Sequence, residues 1–308
     1  MKTAFVFPGQ GSQAIGMLAN ISAEYPLIAQ TFKEASDVLG YDLWDLVQNG
    51  EAAQLNQTEI TQPALLTTSV ALWRVHQSLG GDKPEFMAGH SLGEYSALVC
   101  ANVLSFADAV NLVKLRGQFM QDAVPAGLGG MAAIIGLSDE LVIEACEEAA
   151  QDQVASAVNF NSPGQVVIAG NKEAIDRACV IVKEKGAKRA LPLNVSAPSH
   201  CSLMKPAAEK LAKELESIEF KTPEIAVVQN VCATVESDPA KIKQNLIEQL
   251  YLPVLWSKSV SYMVDQSVET TVECGPGKVL SGLNRRIHKG LSVANIELPA
   301  DMQALVAK

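Results

Sequence analysis

The chain has 308 residues, a formal net charge of −10, and 48% hydrophobic against 19% charged residues. That balance fits a soluble globular protein with a filled core, and an acidic surface has little attraction for phosphate backbones or anionic membranes, so nucleic-acid and membrane partners are set aside. No apolar run is long enough to cross a bilayer, and residues 1–7 are too short for a signal-peptide core, so a cytoplasmic protein is expected.

In chain order, residues 4–7 read as a short apolar strand that leads into Pro8-Gly9-Gln10-Gly11. Residues 23–39 and 71–79 read as helix, 86–89 as a second apolar strand and 94–101 as a helix behind it. A further helix starts near Ser105, with Ala109, Leu112, Val113 and Met120 as its apolar stripe and Arg116 inside that stripe. A guanidinium there needs a partner: a structural ion pair, or a bound carboxylate held by two N–H groups.

The pattern then changes. Residues 130–137 read as a strand and 138–151 as a helix capped by Ser138, with Leu141, Ala145 and Ala149 on one face. Strands at 154–160 and 165–170 flank the turn Asn161-Ser162-Pro163-Gly164, and a helix at 172–185, closed by Gly186, leads to a strand at 187–195. The order βαββαβ is the ferredoxin-like one. Around it, strands at 225–230 and 270–273 and a helix at 240–250 resume the α/β alternation. The expected fold is therefore a larger, α/β-hydrolase-like α/β catalytic domain, residues 1–127 and 197–308, into which a ferredoxin-like subdomain, 128–196, is inserted. A cleft between them is the default place for a site.

Gly89-His90-Ser91-Leu92-Gly93 is a G-x-S-x-G pentapeptide between an apolar strand and a helix, the context in which such a turn exposes a serine at a helix N-terminus. The unpaired N–H groups there favour the negative charge that develops when a carbonyl is attacked. Such a serine needs a base, and the chain has four histidines. His90 points elsewhere along the turn; His76, in a helix, and His288, at a basic helix end, read as solvated. His200 follows the last strand of the small unit, in the loop Ser196-Ala197-Pro198-Ser199-His200, and is the candidate base, with a structural histidine as the alternative. The six cysteines include no CxxC pair and no companion histidines, so buried thiols are expected, no metal is called for, and Cys201 reads as structural.

These residues carry a resemblance. Phe7-Pro8-Gly9-Gln10-Gly11-Ser12-Gln13, Thr61-Gln62-Pro63-Ala64, the serine motif extended through Glu94-Tyr95-Ser96, Leu115-Arg116-Gly117, Asn159 to Gln165, Pro198-Ser199-His200 and Gly275-Pro276-Gly277 together resemble the malonyl-CoA:acyl-carrier-protein transacylases of bacterial fatty acid synthesis. The resemblance runs almost the whole length. It implies Ser91 as nucleophile, His200 as base and then acid, and the backbone N–H groups of Gln10 and Leu92 as the oxyanion hole. It further implies that the Gln249 carbonyl orients His200 in place of a triad carboxylate, and that Arg116 clamps the free carboxylate of malonate. Malonyl-CoA and an acyl carrier protein are the implied partners of a monomer that needs no cofactor and supplies malonyl units for fatty acids.

Carrier proteins of that pathway are acidic, so docking falls to a local basic patch: Lys183, Lys185, Lys188 and Arg189, or Lys278, Arg285, Arg286 and Lys289, unless these are solvated helix faces. Three other readings compete. A dinucleotide fingerprint at Gly9–Ala14 lacks the second strand with an acidic end that it requires, because residues 23–39 continue as helix. A thioesterase or esterase would share the serine elbow, though the α/β-hydrolase type has no ferredoxin-like insert. A carrier-docking module with a dead site is argued against by the intact Ser91, His200, Gln10 and Arg116.

Overall fold

The computed structural model describes residues 2–195 and 197–307. Met1, Ser196 and Lys308 lie outside the described residues, and with them the expected edges of the two units at 1, 196 and 308. The strands are β1 (Lys2–Phe7), β2 (Phe86–Gly89), β3 (Gly129–Ile135), β4 (Ala155–Ser162), β5 (Gln165–Asn171), β6 (Arg189–Pro192), β7 (Ala226–Val228), β8 (Val268–Glu273) and β9 (Ser292–Asn295). Two sheets result, one parallel and one antiparallel, as the α/β expectation required.

The parallel sheet has the order β7-β2-β1-β8-β9. Parallel neighbours need crossovers, which here are helices, and these cover both faces. That is why residues 4–7 are apolar without alternation. Phe5 and Phe7 pack among Leu65, Tyr95 and Leu98 on one side, while Ala4 and Val6 pack among Trp256, Val260 and Leu283 on the other. With β1 central and buried on both faces, the loops at its C-terminal end and that of β2 are held rigidly, and those loops carry the site.

The antiparallel sheet has the order β4-β5-β3-β6, in which β5 and β6 flank β3. The helices Asp139–Ala150 and Lys172–Glu184 cover one face, where Ile134, Val166 and Ile168 meet Val142, Ala145, Ala178 and Val182. Ser138 caps the first of them, accepting from the Leu141 N–H. The other face, through Met131, Val158 and Val167, packs on Cys201 and so toward the parallel sheet. Main-chain bonds tie the two parts together: Phe160 donates to the Val254 carbonyl at 3.0 Å, and Val254 donates to that of Val158 at 2.8 Å.

Some elements differ from expectation. β4 runs on through Asn161 and Ser162, so the turn narrows to Pro163-Gly164, with Gly164 at φ 71. β6 is shorter than residues 187–195, since only four of them pair with β3. The helix expected over 23–39 is two, Ala19–Glu24 and Leu27–Leu39, because Pro26 has no N–H to continue the ladder. The edge strand β9 is short and weakly apolar, which hid it. Ile168, fully buried between sheet and helices, gives a test of the small unit's core: Ile168→Ala should cost about 2–5 kcal/mol in denaturant unfolding, and a cost under about 1 kcal/mol would contradict this packing.

Candidate active site

The serine sits where β2 turns into the helix Leu92–Cys100. Its backbone is strained, with φ 52 and ψ −107, a conformation that non-glycine residues rarely adopt. The flanking glycines are required by space: a Cβ on Gly89 would overlap the Gly93 carbonyl, and one on Gly93 would overlap the Phe7 carbonyl oxygen. Asn230, just past β7, braces the turn from below, its Oδ1 accepting from the Ser91 N–H at 2.7 Å and its Nδ2 donating to the Gly89 carbonyl at 2.6 Å.

His200 also has a positive φ, 65, and its N–H donates to the Leu250 carbonyl. Its Nδ1 lies 2.6 Å from the Gln249 carbonyl oxygen and its Nε2 lies 2.8 Å from Ser91 Oγ. A carbonyl can only accept, so the proton sits on Nδ1 and Nε2 offers its lone pair to the serine hydroxyl. Burial first, and the positive Arg116 second, pull the imidazole down to about 3; the Gln249 carbonyl pulls the other way. The ring is a neutral acceptor at any ordinary pH.

Arg116 is 1% exposed. Its Nη1 donates to Gln62 Oε1 at 2.8 Å, and its Nη2 donates to Gln249 Oε1 at 3.0 Å and to Ser91 Oγ at 3.1 Å. Among the described residues, no carboxylate lies within ion-pair distance of it. Glu94, buried nearby, has Oε2 accepting from Gln249 Nε2 at 2.9 Å and from the Asn230 N–H at 3.0 Å. Burial pushes this carboxyl up to about 7, against the pull of those donors and of Arg116.

Ser91, His200, Arg116, Gln10 and Leu92 all face one cleft of about 450 Å³, whose opposite wall includes Met131, Asn159 and Leu193 from the antiparallel unit. Leu92 opens its helix, where first-turn N–H groups lack partners four residues back. Gly9 lets the Gln10 loop stack on the elbow, since a Cβ there would come 2.5 Å from the His90 carbonyl oxygen. The five side chains and backbone groups singled out in the sequence, together with the Gln249 carbonyl, thus meet at one place.

The other histidines do not face the serine hydroxyl, although His90 lines the same cleft. His90 Nε2 is 2.8 Å from Asn161 Oδ1. His76 is buried, not solvated: its Nε2 reaches the Asp82 carbonyl and its ring packs on Phe5 and Trp73. His288 is exposed. Cys201 is buried, and burial pushes its thiol up to about 11, which leaves it unreactive. Among the described residues there is no cluster of three or more metal-ligating side chains and no helix long and apolar enough to cross a membrane.

Sequence reasoning missed Glu94, Asn230, Gln62 and the side chain of Gln249 as parts of the site. Gln62 and Glu94 stood inside quoted motifs, and the structure buries both, Glu94 on the largely apolar helix Leu92–Cys100 and Gln62 on a helix with several polar residues. Asn230 had only its place at the C-terminal end of a strand.

A family model described as an acyl transferase domain matches residues 4–300. The chain belongs to the acyl transferase family. Over 305 residues, 99% of both chains, it is 61% identical to a malonyl CoA-acyl carrier protein transacylase of Salmonella typhimurium. It is 62% identical, over 98% of this chain and 97% of the other, to the Escherichia coli protein of that name. Its structure is similar to that of an acyl carrier protein S-malonyltransferase from Vibrio cholerae, with a TM-score of 0.98 at 60% identity over 99% and 100% of the two chains. It is equally similar to a malonyl-transacylase in complex with its type II PKS acyl-carrier protein, with a TM-score of 0.99 at 56% identity over 100% and 99%.

The depressed basicity of His200 can be read directly. Its ring resonances should keep neutral-imidazole positions from about pH 8 down to about pH 5, and a titration centred near 6.5 would contradict the burial and the Arg116 field described above.

Proposed function

We propose that this acyltransferase moves a malonyl group from coenzyme A to the phosphopantetheine thiol of an acyl carrier protein through a Ser91 ester. The observation that carries this reading is Arg116. A buried guanidinium with no carboxylate partner among the described residues turns one N–H onto the nucleophilic oxygen, where a substrate bearing a free carboxylate close to its thioester carbonyl would supply the missing charge. Arginine suits that task because its fork binds both oxygens at once.

In the first half-reaction His200 Nε2 takes the Ser91 proton as Oγ attacks the thioester carbonyl, and the N–H groups of Gln10 and Leu92 hold the oxyanion. Collapse breaks the carbon–sulfur bond, and the proton on His200 goes to the departing coenzyme A thiolate. In the second half the carrier thiol gives its proton to His200, attacks the serine ester, and Ser91 recovers the proton as it leaves. The Gln249 carbonyl keeps the tautomer without the charge an aspartate would add, so the pair works as a Ser-His dyad. Each step uses only these groups, so the cycle requires no cofactor.

The chain divides, in this reading, into a catalytic domain of residues 1–127 and 197–308 and an inserted ferredoxin-like subdomain of 128–196, whose wall of the cleft shields the ester from water. Coenzyme A thioesters and carrier proteins are water-soluble, which puts the work in the cytoplasm, feeding fatty acid synthesis. Of the two basic clusters, Lys185 is already paired with Glu144 and Glu148, while Lys188 and Arg189 lead along β6 to Leu193 at the cleft.

Incubation with malonyl-CoA should add one malonyl group by intact mass, lost in Ser91→Ala and passed on when holo carrier protein is added. Release of coenzyme A without adduct or transfer would instead make the protein a hydrolase. Arg116→Ala should cut the preference for malonyl over acetyl thioesters by about 10- to 200-fold, the worth of a charge-assisted pair; unchanged selectivity in a competition assay would remove the clamp.

A further inference from the structure

The side-chain amide of Gln249 lies between two groups of opposite demand. On one side Arg116 Nη2, which can only donate, faces its oxygen at 3.0 Å; on the other Glu94 Oε2 faces its nitrogen at 2.9 Å. The same amide nitrogen donates to the Ser91 carbonyl at 3.0 Å, while the backbone carbonyl of this residue holds His200. An amide has nearly the same shape with oxygen and nitrogen exchanged, so its direction is set by its neighbours. Exchanged, its NH2 would meet the guanidinium donor to donor, and its oxygen would meet an oxygen of Glu94.

Glu94 holds a second member of the site as well. Its Oε2 accepts from the Asn230 N–H at 3.0 Å, and Asn230 Oδ1 in turn accepts from the Ser91 N–H. Glu94 is 1% exposed, and its other oxygen, Oε1, has no hydrogen-bond partner among the described residues. A side chain kept in the core at that cost has a use for the oxygen that is paired.

We propose that Glu94 is a positioning residue that fixes the direction of the Gln249 amide and thereby holds Arg116, His200 and Ser91 in working alignment. The Gln249 carbonyl orients the imidazole, and Glu94 acts one step behind it, through Gln249 and without touching the ring. The role is that of an acceptor: protonated or not, the carboxyl keeps an oxygen for the amide. The inference rests on the transacylase reading, in that Arg116 and His200 must both serve the reaction.

The test compares wild type, Glu94→Met, Glu94→Gln, Gln249→Met and the double variant Glu94→Met/Gln249→Met, with malonyl-CoA and acetyl-CoA as acyl donors. Methionine is close in size and removes a buried charge, a change that cores tolerate, and circular dichroism with thermal unfolding checks that each variant is folded. Glu94→Met should lower kcat for malonyl transfer by about 100-fold and the malonyl-to-acetyl ratio by about 10-fold, and the double variant should lose clearly less than the two single losses combined. Glu94→Gln, which keeps an oxygen at the same place, should recover to within about 10-fold of wild type in kcat. A folded Glu94→Met within about twofold of wild type overturns the proposal; so do losses that add across the double variant, and so does a Glu94→Gln as impaired as Glu94→Met. Wild type and Ser91→Ala run alongside: if wild type fails to take up malonate the transacylase reading falls by itself, whereas the Glu94 comparison is decided on whichever thioester wild type accepts.

Discussion

A guanidinium taken out of water is costly to leave unsatisfied, and this site is arranged around one that has been placed against the Ser91 hydroxyl. Two Arg116 nitrogens find Gln62, Gln249 and Ser91 within 3.1 Å, and every one of those partners is neutral. The arginine is thereby held in place while its charge is left uncancelled at close range. The same positive charge helps keep His200 a free base, so in the proposed cycle one residue both recognises the acyl group and tunes the base.

That arrangement needs walls, and the fold supplies them from two directions. The parallel sheet, buried on both faces, fixes the ends of β1 and β2, where the Gln10 loop and the serine elbow stand side by side. The antiparallel unit closes the other side of the cleft and is locked to the chain near Val254 by main-chain hydrogen bonds, not by side chains alone. An ester that must survive long enough to meet a thiol benefits from a cleft whose two walls are joined by backbone.

Much of this was readable in the sequence, because the informative features are local. The serine elbow announces itself by glycines whose spacing follows from overlap with backbone atoms, and the βαββαβ unit by periodicities that change between strand and helix. Ser138 and Gly186 mark helix ends by their chemistry. Arg116 stood out as a charge in an apolar stripe. What stayed hidden is what depends on contacts between distant segments: Asn230 bracing Ser91, the amide of Gln249 between Glu94 and Arg116, and His76 buried against Phe5 and Trp73. Their partners lie far away in sequence, and no periodicity reports them. The resemblance to known transacylases carried the Gln249 carbonyl, but nothing in the residues alone pointed to its side chain.

The absence of a side chain at Gly9 and at Gly93 brings the first β-strand's loop into van der Waals contact with the elbow on both sides. The two loops interlock, so the donors at Gln10 and Leu92 cannot drift apart without dismantling the serine turn itself. As the proposed oxyanion cradle, these two groups form a rigid template set when the chain folds, and no part of it waits for substrate to arrive. Compounds that present a tetrahedral, negatively charged centre to Ser91 should find it ready-made, and adjustments to acyl groups of different size must come from the Arg116 side and from the Met131–Leu193 wall.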